Sequence, residues 1–175
     1  MSVTTRYLLP TLLATVLLIP TSIYVIAGGV GAGLRFPMFL YQDTTYGVSL
    51  IPVWREITYV TSGIIGGRSA VSILLWVLGT ALLIAAIAYF AVKREDDYET
   101  FRKPLALLVA GGAVAYLLSC VAQYGPTLHG PAGFAVPVGV PLILGVAWYV
   151  VKVEDDDESG YEEEEDYGEE MEEEQ

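Results

Sequence analysis

The sequence predicts an all-α integral membrane protein: a four-transmembrane-helix bundle with a larger first extracytoplasmic loop and a disordered acidic C-terminal tail. Three observations carry that expectation. Residues 69–92, SAVSILLWVLGTALLIAAIAYFAV, run for twenty-four residues without a charge. At about 1.5 Å per residue such a helix reaches roughly 36 Å, more than the ~30 Å hydrocarbon core of a bilayer. Three further stretches, residues 7–30, 104–124 and 134–151, are also uncharged. Hydrophobic residues make up 54% of the chain, and they come as unbroken runs instead of the stripes of a soluble fold.

The net charge of −12 divides unevenly. Residues 154–175 hold fifteen Asp or Glu and no Lys or Arg, whereas the preceding 153 residues hold nine basic and six acidic groups, a net +3. A nearly neutral membrane domain, residues 1–153, therefore carries an acidic appendage. No cationic surface for nucleic acid exists, which excludes that class of partner. The one cysteine, Cys120, precludes an intrachain disulfide and any paired-cysteine metal or redox motif.

The first span, residues 7–30, contains Pro10 in its first turn, where a missing N–H costs little, and Pro20 in its middle, where a kink is expected. A cleaved signal peptide is the competing account of this segment, opposed by its single basic residue, Arg6, and by its length. Gly29 and Gly33 have the small-xxx-small spacing of a helix-packing face. The outer loop is residues 31–68. Leu34, Phe36, Met38 and Leu40 alternate, as do Tyr46, Val48 and Leu50, around the turn material of residues 42–45, which predicts a short hairpin. Pro37 and Pro52 confine such strands to edges. Trp54, Ile57, Val60, Thr61 and Ile64 recur at helical spacing, as for a helix lying in the membrane interface. Tyr41, Tyr46, Trp54 and Tyr59 suit an aromatic belt at headgroup level.

The charged run KREDDYETFRK, residues 93–103, can only join two antiparallel neighbours, so the second and third spans form a helical hairpin. Pro104 opens the third span, whose Ala106, Ala110 and Gly111 offer a small face for close helix contact. Residues 125–133 are a Gly/Pro turn. The fourth span begins weakly at Pro137 and Pro141 and is anchored at its end by Trp148 and Tyr149 beside Lys152. The tail repels itself and has little apolar surface to bury, so disorder is expected.

With four spans both termini share a side. Arg6, Lys93, Arg94, Arg102, Lys103 and Lys152 lie there against Arg35, Arg55 and Arg68 on the other, which places the termini in the cytoplasm of a plasma-membrane protein. Ionisable groups are absent from all four spans, against a proton-coupled carrier. Thr15, Ser72, Thr80, Ser119, Cys120 and Gln123 are polar at membrane depth, where hydrogen bonding between helices or to backbone is the ordinary use.

Asp43, Glu56 and His129 share no local spacing, so no metal site, cofactor site or catalytic set is expected. Trp54, Arg55 and Glu56 form a charged rim for a partner. The function expected is non-enzymatic: an accessory or scaffold subunit packing against other membrane subunits or copies of itself within the lipid bilayer. Residues 34–68 and the tail serve as contact surfaces, the tail toward a basic protein or divalent cations. The alternative is a small transporter or permeability factor for a neutral or lipid-like solute, with a cavity lined by Tyr116, Ser119 and Gln123.

Overall fold

The computed structural model describes residues 3–93 and 98–152. The acidic tail, and with it the expectation of disorder, lies outside the described residues, as do residues 94–97 of the charged linker. Five helices are described: α1 (Val3–Val16), α2 (Val53–Thr61), α3 (Gly67–Lys93), α4 (Tyr98–Tyr124) and α5 (Gly139–Lys152). Six strands accompany them: β1 (Ser22–Ile26), β2 (Gly31–Arg35), β3 (Phe39–Thr44), β4 (Gly47–Pro52), β5 (His129–Gly130) and β6 (Gly133–Val136). All pairings are antiparallel, in the order β4-β3-β2-β1-β6-β5.

The sheet overturns the all-α four-span expectation. Two helices are long and apolar enough to cross a membrane: Gly67–Lys93, and Thr100–Tyr124 within α4. At 14 residues each, α1 and α5 reach only about 21 Å, short of a ~30 Å core. The missing length went into strands. From Ser22 the chain reads Ser-Ile-Tyr-Val-Ile, whose Ile, Tyr and Val fit a pleated surface better than a helix, and it forms β1 where a mid-span kink was expected. Likewise residues 133–136 form β6 before α5 starts at Gly139. Gly29 sits in a single 3-10 turn and Gly33 in β2, so their spacing has no helix to act on.

Residues 31–68 do hold a hairpin, but not the expected one: Phe36 and Met38 fall in the β2–β3 turn, Gln42, Asp43 and Thr44 belong to β3 instead of a turn, and β3 and β4 join at Thr45-Tyr46. Pro37 lies in the β2–β3 turn, outside both strands, and Pro52 ends the edge strand β4. The helical spacing at Trp54–Thr61 corresponds to α2. Within the protein its buried residue is Glu56, while Trp54 is exposed and Ile64 lies beyond its end.

α3 and α4 form an antiparallel pair with α5 beside α4 and α1 against α3 and α5. The closest approach of the pair is at Gly79 and Gly112. A Cβ on Gly79 would stand 2.8 Å from the Tyr116 ring, and one on Gly112 would stand 3.1 Å from Leu83. Gly111 faces Leu82 more loosely, at 3.5 Å. The sheet lies across the end of the helices where α1 and α4 finish and α3 and α5 begin. There Gly139 N–H donates to Thr21 O at 3.1 Å, and Thr21 N–H and hydroxyl both donate to Arg35 O, at 2.7 and 2.9 Å.

Gly79→Ala therefore overpacks the helix pair and lowers stability by about 1–3 kcal/mol. Gly145→Ala, where nothing stands within 4 Å of the added methyl, leaves stability unchanged or raises it by about 0.5–1 kcal/mol. Thermal unfolding in one detergent measures both, and equal melting of the two variants contradicts the packing described.

Candidate functional site

The site begins with a turn. Between β2 and β3 the chain passes through Phe36, Pro37 and Met38, and this turn is let into the α3–α4 pair. Its carbonyls are met by side chains from the helices. Trp76 Nε1–H donates to Phe36 O at 2.9 Å, and the Thr80 hydroxyl donates to Pro37 O at 2.6 Å. Tyr116 Oη lies 3.1 Å from the Thr80 oxygen, completing a Tyr116–Thr80–Pro37 chain across both helices. Thr80 is thirteen residues past Gly67, about 20 Å along α3. Buried backbone carbonyls are stable only where protein satisfies them, and these bonds do so.

The insertion carries Arg35 below the sheet. Its Nη1 donates to Ser119 Oγ at 3.2 Å and to Ser72 Oγ at 3.4 Å, and its Cζ lies 5.3 Å from the centre of the Trp76 ring. The two serines are tied to each other: the oxygens are 3.0 Å apart, and Ser119 also donates to Ser72 O at 2.7 Å. Arg35 Nε–H is buried and has no hydrogen-bond partner among the described residues. A charge withdrawn from water costs several kcal/mol unless its surroundings compensate. Here the compensation is two hydroxyls and an indole face.

Glu56 points inward from α2 and is only 6% exposed. Burial raises its carboxyl above the ordinary range, and the Arg35 guanidinium pulls it back down. Among the described residues no hydrogen bond or ion pair ties the two. Tyr24 completes the inner wall: burial pushes its phenol up to about 12, so it stays neutral and donates to Gln42 Oε1 at 3.3 Å. Gly33 is glycine because the Tyr24 ring crosses directly over it, on the space a Cβ would take. Cys120 is buried beside Ser22 of β1.

The residues singled out by sequence fall apart into several places. Trp54 is exposed, Arg55 stacks 5.8 Å from the Tyr59 ring, and Glu56 turns the other way, so the three share no rim. Asp43 on β3 and His129 on β5 are four strand steps apart, roughly 19 Å at about 4.8 Å per step. His129 stacks on Phe134 at 6.0 Å. No metal-binding group of three is formed among the described residues. Tyr116 and Ser119 are buried and spent on hydrogen bonds. Ala106 and Ala110 lie at a groove between α4 and α5.

The outer face of the sheet was not foreseen. In register, Val136, Ile23, Leu34, Tyr41 and Leu50 form one row across five strands. Phe134, Val25, Ala32, Asp43 and Val48 form the next row. Asp43 is the only charge in either row. The face is open, most of all at β4, where Val48 is 63% and Leu50 60% exposed. Among the described residues β4 pairs with β3 alone, which leaves its other edge unpaired there. Comparison with protein families, with curated proteins and with solved structures finds no match to this chain.

Because burial raises the Glu56 carboxyl, the folded state holds that proton more tightly than the unfolded chain does. Stability from this group is full below its ordinary value near 4.5 and falls as pH rises through the raised folded value. Glu56→Gln removes the fall. It melts a few degrees above the natural protein at pH 8 and together with it at pH 4, as read from paired melting curves. A variant that melts lower at pH 8 shows instead that an ionised Glu56–Arg35 pair stabilises the fold.

Proposed function

We propose that this chain is a non-enzymatic multi-pass membrane protein that works as an assembly subunit, joining to further copies of itself through the outer face and free edge of its sheet. α3 and α4 cross the bilayer, with α1 and α5 packed along them. Lys93, Arg102, Lys103 and Lys152 cluster at the helix ends away from the sheet, while Arg35, Arg55 and Arg68 are on the sheet side. The excess of basic groups favours the first end as the cytoplasmic one, and the sheet then faces outward from the plasma membrane.

The observation that carries this reading is the apolar row from Val136 to Leu50, continued to an unpaired edge strand. A soluble surface seldom leaves such a face open unless something covers it. Edge strands are normally blunted by lysine, a bulge or a covering element, yet β4 reads Gly-Val-Ser-Leu-Ile-Pro with no charge. A second copy supplies matching chemistry on both counts. Its own apolar rows can pack against these, and β4 can pair antiparallel with β4 about a two-fold axis, the commonest symmetry of homo-oligomers. The Arg35–Ser72–Ser119 network, with both serines buried and the arginine partly so, supports this reading in a different way: it ties the sheet to the helices, as a contact surface requires.

In a mild detergent the protein should run as a dimer or larger by light scattering after size exclusion. Val48→Lys or Leu50→Lys should weaken that association by about tenfold or more without changing helix content, since both side chains are exposed. A natural protein that is monomeric at every concentration overturns the proposal. So does a lysine variant that associates undiminished.

A further inference from the structure

At the opposite end of the molecule a shallow, open groove of about 400 Å³ runs between α4 and α5. Its floor is small, with Ala106 and Ala110 on α4, and its walls are Leu107, Leu144 and Trp148. Lys103 stands at its mouth. Lys152, one turn past Trp148, lies with its Nζ 5.0 Å from that indole ring. Arg102 ties the mouth shut on its far side by donating from Nη1 to Val151 O at 3.3 Å, which fixes the end of α5 against α4.

We propose that this groove is a binding site for one anionic phospholipid, an acyl chain lying along Leu107, Ala110 and Leu144 and the phosphate held between Lys103 and Lys152. The inference rests on the membrane placement of α3 and α4 given above and is independent of assembly through the sheet. Three features select this occupant. The walls are almost wholly apolar, and the groove opens sideways from the helices, where the surrounding medium is acyl chain. It runs from Lys103 to Ala110, seven residues or about 10 Å, the depth of an upper acyl chain beneath a headgroup. Its cations are confined to one end, where Trp148 has the position of an interfacial anchor. Basic pockets between helices on the cytoplasmic side suit anionic headgroups. A partner helix fits less well, because it would bury both lysines against protein and needs a longer apolar face.

The test is lipid retention by the full chain, purified in mild detergent, delipidated and incubated with phosphatidylglycerol or phosphatidylcholine, then weighed by native mass spectrometry. The expected result is one phosphatidylglycerol per chain and little phosphatidylcholine. Lys103→Ala with Lys152→Ala should reduce retention roughly tenfold or more. Ala110→Leu, which fills the groove, should reduce it as well while both lysines remain. Leu50→Lys should leave it unchanged, so failure of sheet assembly and failure of lipid binding are told apart. Equal retention of the two lipids overturns the proposal. Retention undiminished by the double lysine variant, as when the acidic tail already neutralises the lysines, also overturns it. A protein chain that copurifies and is lost with Ala110→Leu, with lipid retention unaffected, assigns the groove to a helix instead.

Discussion

Two carbonyl oxygens, those of Phe36 and Pro37, hold the sheet to the helices. A turn seated against two packed apolar helices has peptide groups that hydrocarbon side chains cannot satisfy, and each one left bare costs several kcal/mol. Trp76 and Thr80 remove that cost from α3, and Tyr116 reinforces Thr80 from α4. Given this anchor, much else is constrained. β2 and β3 must leave the helix end at a fixed place, β1 and β6 can then pair beside them, and α1 and α5 are left only the residues the strands do not use.

The same insertion accounts for the partly buried charge. Arg35 closes β2, one residue before the turn, so it is carried down to Ser72 and Ser119 whether or not a cation is welcome there. Its environment answers with hydroxyls and the Trp76 face. The serines spend their hydrogen bonds on one another and on the guanidinium, which holds a charge in place and does not activate a nucleophile. Rigidity of the sheet and the cost of burying Arg35 are therefore two consequences of one geometry.

The helix pair was legible in sequence because an uncharged run of twenty-four residues has few other uses, and α3 covers it from Gly67 to Lys93. A hairpin between residues 34 and 52 was legible from alternation, but not its register: Gln42, Asp43 and Thr44 have turn-forming chemistry and yet pair within β3. β1 and β6 were not legible. Ile23 and Val25 face outward and Tyr24 inward, yet all are apolar, so no alternation marks the strand and a hydropathy window merges it with α1. Pro20 was the available signal, and it reads equally as a kink or as an end. The Arg35 network was hidden for another reason. Its members lie 37 and 84 positions apart in sequence, and only their polarity within apolar spans hinted that something had to meet Ser72, Thr80 and Ser119. The open sheet face depends on register across five strands, which no local pattern encodes.

The most direct measurement is a through-space carbon–carbon correlation spectrum of the protein in bilayers by solid-state nuclear magnetic resonance. A turn seated in the helix pair gives cross-peaks from the Pro37 carbonyl to the Thr80 side chain and from Phe36 to the Trp76 ring, with strand-type shifts over residues 22–26 and 133–136. Helical shifts running unbroken from residue 7 to residue 30, with no cross-peak between residues 36–37 and α3, contradict it.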